Sequence, residues 1–351
     1  MMLKYIAGRI IQAIPLLFII SVILFAIMNS IGDPLAIQLS QGRPPTGEER
    51  LRMRRRMGLD QPIYLQYIYW MIGNDWTYID ADGDGDTDEN IRGPRKGVLR
   101  ADLGRSLITK QFAQVRIMER LPNTLILMIP MYILAITMAL VLGAISALRQ
   151  YSALDNLLTT AAFVFYSMPI FFISLGMIFI FAIGLRNWGL PHTPIAGMFE
   201  PGEPKTLTNL IRHLILPASS LAIIYAAAYM RYVRSSILEA MNADYVRTAY
   251  AKGLAKRRIF AIHILKNAAL PLVTIVGLDL PFVLGGAVIT ESIFAWPGMG
   301  LLFIESLTRS DYPVLMGILM LIAVAVVVLQ LLTDLVYSLL DPRVALMGQT
   351  G

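Results

Sequence analysis

Six stretches of the chain stay apolar for long enough to cross a bilayer, and the polar residues gather between them. A spanning helix needs about 20 mostly apolar residues. The pattern predicts helices over Ile10–Ile31, Leu121–Leu148, Leu157–Leu185, Leu214–Tyr232, Ala268–Ile289 and Val314–Leu340. Between the first two lies residues 32–120, too long and too charged to be embedded in lipid, where every backbone polar group needs an internal partner. Pro130, Pro169, Pro217, Pro271, Pro281 and the pair Gly285-Gly286 punctuate the spans. Such residues permit kinks and close helix contacts; several broken helices in one chain also suit a transporter.

Composition agrees. The 351 residues are 56% hydrophobic and 15% charged, against about a quarter charged in soluble domains. The fold class expected is an all-α polytopic membrane protein with six transmembrane helices. The net charge of +6 does not point to nucleic acid, because the basic residues flank apolar runs and are not interleaved with aromatics. No cysteine is present, which excludes disulfides, thiolate metal sites and a Cys nucleophile. The N-terminal apolar run is longer than that of a signal peptide and has no small-residue cleavage site after it, so it reads as a retained span.

Lys and Arg in short loops set orientation. Arg234, Arg247, Lys252, Lys256, Arg257, Arg258 and Lys266 lie between the fourth and fifth spans; Lys4 and Arg9 precede the first, and Arg343 follows the last. Six spans put all of these on one side, read as cytoplasmic. Both termini are then cytoplasmic, in a prokaryotic inner membrane, and the long segment faces out. The expected organisation is a helix over 1–31, an extracytoplasmic domain over 32–120, a core of five spans over 121–343 with a cytoplasmic loop at 233–267, and a tail over 344–351.

That loop carries the most chemistry. Ile237 to Ala251 holds helix formers and no breaker, Gly253 interrupts, and from Leu254 a basic and an apolar face resume. A helix, a glycine turn and a second helix make a docking element for a groove on a partner. An amphipathic helix lying on anionic lipid fits the same pattern. Physics alone leaves both readings open.

The stretches ADYVRTAYAKGL (243–254) and HILKNAALPLVT (263–274) resemble the coupling loop of binding-protein-dependent ABC importer permeases. The likeness is closest to the oligopeptide, dipeptide and nickel branch. It extends to IGDP at 31–34, MGLDQPIYLQYIYW at 57–70, ADLGRS at 101–106, RLPNTLIL at 120–127, GGAVITESIFAWPGMG at 285–300, RSDYPV at 309–314 and DLVYSLLDPR at 334–343. Their order along the chain is more specific than any one of them. The resemblance implies a type I permease fold, a second related permease, two ABC ATPase subunits below and an extracytoplasmic substrate-binding protein outside. It implies import of di- or oligopeptides by alternating access, with nickel chelates or oligosaccharides as alternatives. It also assigns ATPase coupling to Glu239, Asp244, Tyr245, Arg247, Thr248, Ala249, Lys252, Gly253 and Leu254. Where the generic signature has Glu-Ala-Ala, this chain has Arg247-Thr248-Ala249, so its side-chain contacts depart from the pattern.

Catalysis is expected elsewhere. No G-x-x-x-x-G-K-[ST] loop occurs, so this chain is expected to bind no nucleotide. His192, His213 and His263 are too far apart for a metalloprotease motif. Asp279 falls inside the fifth span, where a carboxylate is expensive and faces protein or water. It is a pathway candidate, or a hydrogen-bond partner for a neighbouring helix. Glu291 and Trp296 lie in a Pro-Gly-broken loop after that span and are read as part of the outer mouth, near the binding protein. Asp334 is read as a structural partner of Arg343.

The loop DADGDGDTDE remains, at 80–89. Asp80, Asp82, Asp84, Asp86 and Asp88 sit at oxygen-ligand positions of a calcium loop with Gly85 at the turn, but Ile91 stands where the closing Glu belongs. A calcium ion is expected there as an accessory that folds a hairpin of the outer domain. A solvated acidic turn is the alternative. Two other functions compete with the permease: an ion-coupled secondary transporter, which wants more intramembrane ionisable residues, and a calcium-responsive scaffold.

Overall fold

The computed structural model describes residues 2–31, 47, 51, 54–55, 58–78, 80, 92–284 and 287–340. Among these every regular element is a helix; extended pairing is confined to the isolated bridges Tyr78↔Arg92 and Arg105↔Phe112. In chain order the main elements are α1 (Met2–Ile31), α2 (Ile63–Met71), α3 (Ala113–Leu148), α4 (Ala153–Ser167), α5 (Ile170–Asn187), α6 (Leu207–Met241) and α7 (Asp244–Ala251). They continue as α8 (256–268), α9 (Leu270–Leu284), α10 (Val288–Ile293), α11 (Met299–Thr308) and α12 (Tyr312–Leu340). Among the described residues six apolar stretches are long enough to span: Gly8–Ser30, Ala113–Leu148, Ile170–Asn187, Leu207–Met241, Lys256–Pro281 and Tyr312–Val336. The expected six-span, all-α class is therefore met.

Two boundaries differ from expectation. The third stretch, expected over Leu157–Leu185, is two helices. Proline disfavours helical backbone in the residue before it; accordingly α4 ends at Ser167, Met168 is extended (ψ 135°), and Pro169 starts α5. The single helix expected over Ile237–Ala251 is also two. α6 runs on from the fourth span to Met241, Asn242 closes it, and Ala243 is extended (ψ 146°) before α7 begins. Wider π-helical turns occupy Ile178–Gly184 in α5 and Ile259–Leu265 in α8.

The chain divides into two compact units: Met1–Pro122 with Leu302–Val324, and Asn123–Leu301 with Ala325–Gly351. This joins the first span and the segment after it with the start of the last span, a division not expected from the sequence. In the first unit Trp70, Met316 and Met320 form a core with Phe25, Met28 and Tyr67 around them. The Tyr67 hydroxyl is 2.8 Å from that of Ser21. Buried Asp311 accepts from the Ser106 hydroxyl and from the Leu107 N–H (2.9 Å), with Arg116 at 3.5 Å. Turns and side-chain bonds thus order the described part of the segment in place of a sheet.

The core of the second unit is a seam that mixes alanines with larger apolar residues. Leu127, Met131, Ala135 and Ala139 recur every four positions along α3, and Ala222, Ala226, Met230, Val233 and Ile237 line α6. The alanines let helix backbones approach in a membrane, where packing rather than hydrophobic expulsion drives association. At Gly143 a Cβ would sit 2.8 Å from Val233 Cγ1.

Asp82, Asp84, Asp86 and Asp88 lie outside the described residues, as do Gly285, Gly286 and Arg343. The arms flanking the acidic loop are joined by the Tyr78↔Arg92 bridge, with the Arg92 guanidinium 5.3 Å from the Tyr78 ring centre. Among the described residues, Asp80 included, no group of three or more His, Asp or Glu is placed to hold a metal ion.

Candidate functional site

The basic loop between the fourth and fifth spans folds into a short helix held by one face. α7 buries Val246 and Ala249 in a core shared with Ile259 and Ile264 of α8. Its remaining faces are open. Tyr245 and Tyr250 are about half exposed (43% and 48%), and Asp244 and Arg247, 3.7 Å apart, both project outward. Thr248, Lys252 and Gly253 are also exposed, Glu239 is exposed on the last turn of α6, and Leu254 is half-buried. Asp244 in the first turn is favourably placed against the helix dipole.

The end of α7 is a Schellman turn. The Gly253 N–H donates to the Tyr250 carbonyl (3.0 Å) and the Leu254 N–H to the Ala249 carbonyl (3.4 Å). Gly253 takes φ +72°, with no atom within 4 Å of where a Cβ would stand. Glycine is required there for its left-handed backbone, since space is ample. α7 is thus joined through Ala243 to one spanning helix and through α8 to another.

Above the loop lies a latch that sequence reading missed. Asp155 is 1% exposed in the first turn of α4. Arg234 of α6 grips it with two hydrogen bonds, Nε to Oδ1 and Nη2 to Oδ2, each 2.8 Å. The Tyr151 N–H donates to Oδ2 at 2.9 Å, and the Ser146 hydroxyl of α3 donates to Oδ1. The Arg234 guanidinium, more than any other group, holds the Asp155 carboxyl well below the usual carboxylate range; the Ser146 and Tyr151 bonds act in the same direction and burial opposes them. Ser152 caps the helix by accepting from the Asp155 N–H (3.2 Å). The Ser-x-x-Asp spacing, a capping-box pattern, was the available signal. Arg231 adds a second α6–α4 contact, 4.6 Å from the Phe163 ring centre.

Asp279 accepts a hydrogen bond from the Tyr229 hydroxyl at 2.8 Å. Tyr225 lies between Tyr229 and Tyr132, with ring centres 5.8 and 5.9 Å away. The carboxylate is half-buried, and no Lys or Arg among the described residues stands within 4 Å of it. The bond to a neighbouring helix is present, and one face of the residue stays open.

Glu291 and Trp296, read from sequence as part of an outer mouth, are anchored to α3. Both are fully enclosed, as is Phe294. Glu291 accepts from the Thr124 hydroxyl (2.9 Å) and from the Leu301 N–H (3.0 Å). The Met299 N–H donates to Thr124 Oγ1 at 2.7 Å. Trp296 Nε1 donates to the Asn123 carbonyl, and Asn123 Nδ2 donates to the Pro297 carbonyl, both at 2.8 Å. A Cβ at Gly298 would press into the Glu291 carboxylate. Enclosed by their own chain, these side chains clamp the loop to α3. Asp334 accepts from Gln330 at 3.5 Å.

Six apolar helices among the described residues, several of them broken, define a polytopic helical membrane protein. The chain belongs to the family described as binding-protein-dependent transport system inner membrane component, whose pattern matches residues 139–346; the pattern for that family's N-terminal part matches 2–128. It is 36% identical over 346 residues to the oligopeptide transport system permease protein AppB of Bacillus subtilis, covering 98% of this chain and 99% of that one. The di/tripeptide transport system permease protein DppB of Pseudomonas aeruginosa is 34% identical over 364 residues, with 98% and 99% covered. The dipeptide transport system permease protein DppB of Escherichia coli is 32% identical over 365 residues, with the same coverage. The resemblance drawn from the motifs is borne out at the level of family.

Proposed function

We propose that this chain is a translocation subunit of an ATP-driven importer of di- and oligopeptides, and that α7 is its docking segment. The observation that carries the reading is α7 itself: eight residues, two of them buried, with two tyrosines and an ion pair turned outward from a rigid turn. Full-length similarity to permeases named for oligopeptides and dipeptides supports the substrate class. In this reading residues 239–254 enter a cleft on an ATPase subunit, and a second permease and a binding protein complete the importer. Both termini lie on the ATPase side. Motion of the docked helix reaches the spans by two routes, through Ala243 into α6 and through α8 into α9. Each conformation must be favoured by a differential contact with nucleotide, binding protein or peptide, since only differential affinity shifts an equilibrium.

Exposed tyrosines centred on a docking helix have the character of interface hot spots, which cost about 2 kcal/mol or more when truncated. The Tyr245→Ala, Tyr250→Ala double variant is expected to insert normally and to lower uptake of a labelled tripeptide into proteoliposomes about tenfold or more. ATP hydrolysis would lose its dependence on peptide-loaded binding protein. Unchanged uptake with unchanged coupling would sink the docking role.

Asp279 is proposed as a pathway residue that receives the ammonium group of a passing peptide, the Tyr229 bond orienting its free oxygen. A hydrogen bond between charged groups contributes about 1.5–3 kcal/mol. Asp279→Asn is therefore expected to lower uptake of free-amine tripeptides about tenfold relative to their N-acetylated forms. An equal loss for both would reduce Asp279 to a helix-packing residue.

A further inference from the structure

A pocket with about 90 Å³ of free space opens in the first unit. Phe25 and Met28 come from the last turns of the first span, Gly8–Ser30, and Tyr312 and Met316 from the first turns of the last span, Tyr312–Val336. The pocket is thus lined by the ends of two candidate spans. Trp70 contributes further apolar wall, and the polar end is formed by Arg95 and Asp102.

Arg95 is the unusual member. Its backbone is fixed, the N–H donating to Asn74 Oδ1 at 3.0 Å and the carbonyl accepting from the Asn74 and Asp75 N–H groups. Its guanidinium makes no hydrogen bond or ion pair with any described residue, and burial pushes its pKa below the ordinary arginine value. Asp102 is the acid that acts on it through space, but its two oxygens already accept from the Lys96 N–H (2.9 Å) and the Gly104 N–H (3.0 Å). A half-buried guanidinium that no described residue pairs, at the polar end of an apolar wall, is complementary to an anion that carries a hydrocarbon chain.

We propose that this pocket holds an anionic phospholipid, its phosphate on the Arg95 guanidinium and the upper part of one acyl chain against Phe25, Trp70 and Met316. Planar guanidinium groups bind phosphate through paired N–H donors. Basic pockets between spanning helices take up anionic headgroups in the same way. The lining includes no residue of α7 and not Asp279, and the proposal does not depend on the peptide reading.

The test uses the full chain in nanodiscs and brominated lipid as a contact quencher of Trp70, whose share of the emission is obtained by difference against Trp70→Phe. A single Arg near a headgroup contributes about 1 kcal/mol. Brominated phosphatidylglycerol should therefore quench Trp70 with about fivefold higher apparent affinity than brominated phosphatidylcholine. Arg95→Gln should bring the two to parity and Arg95→Lys should keep most of the preference. Met316→Phe, which fills the apolar end from the other helix, should weaken quenching by phosphatidylglycerol and tests the same pocket should Arg95→Gln fail to fold. Parity in the parent protein, or a preference that survives Arg95→Gln, overturns the proposal. Loss of the preference with millimolar glycerol phosphate would assign the site to a soluble anion. Loss with a tripeptide would assign it to substrate; either result overturns the lipid assignment.

Discussion

Arg234→Met is expected to destabilise the chain by about 3–5 kcal/mol, because it leaves the enclosed Asp155 carboxylate without its countercharge. Arg234 occupies both carboxylate oxygens, and the remaining bonds, from Ser146 and Tyr151, carry no formal charge. Removing both partners is a different matter. Asp155→Leu with Arg234→Met replaces the pair by apolar groups, a change that is often neutral, so the double variant should recover much of the loss. Thermal unfolding in detergent micelles, followed by tryptophan fluorescence, gives the coupling from the four-protein cycle. The pH dependence has a definite sign. In the parent the Asp155 pKa is depressed in the folded state. Its contribution is therefore complete above the unfolded value, about 3.9, and lost as pH falls through the folded value. In Arg234→Met the carboxylate is buried without a cation and gains stability on protonation. The gap between parent and variant should close as the medium is acidified; a gap independent of pH would mean that the ion pair is not what the substitution removed.

Trp296→Ala is expected to cost about 3–5 kcal/mol, in the range for deleting a fully enclosed aromatic side chain. Trp296 has no exposed surface and bonds the Asn123 carbonyl. Trp296→Phe keeps most of the packing and leaves that carbonyl bare, so it should cost less, about 1–3 kcal/mol. If Trp296 instead faced an outer passage, both variants would fold as the parent does and differ only in transport. Unfolding midpoints for the pair decide between the two.

Much of the architecture was legible because a bilayer imposes one rule, a long apolar run per crossing. The turn at Gly253 was legible for an equally local reason, a glycine between two helical patterns. Pro169 was visible too, but its consequence was underestimated. Inside a membrane a proline either bends a helix or ends it, and the extended backbone of Met168 decides for the second. What stayed hidden are contacts between distant positions. Asp155 and Arg234 are 79 residues apart and Thr124 and Glu291 are 167 apart. An acid and a base, or a threonine and a glutamate, carry no mark in sequence that matches one to the other. The anchoring of Glu291 and Trp296 stayed hidden for a related reason. Aromatic and acidic residues in a broken loop suit a membrane interface, yet the same residue types also serve as clamps when a neighbouring helix offers a carbonyl and a hydroxyl.

The empty space beside Gly253 means that the exit of α7 is governed by handedness and not by volume. A mirror-image residue such as D-alanine meets no obstacle there and prefers that backbone, whereas L-alanine fits the space and opposes it. Asparagine, the L-residue most at ease in left-handed backbone, is the natural substitute. The angle at which α7 is presented is therefore encoded in the chirality of one position, and it persists through any change in its neighbours that leaves that chirality permissive.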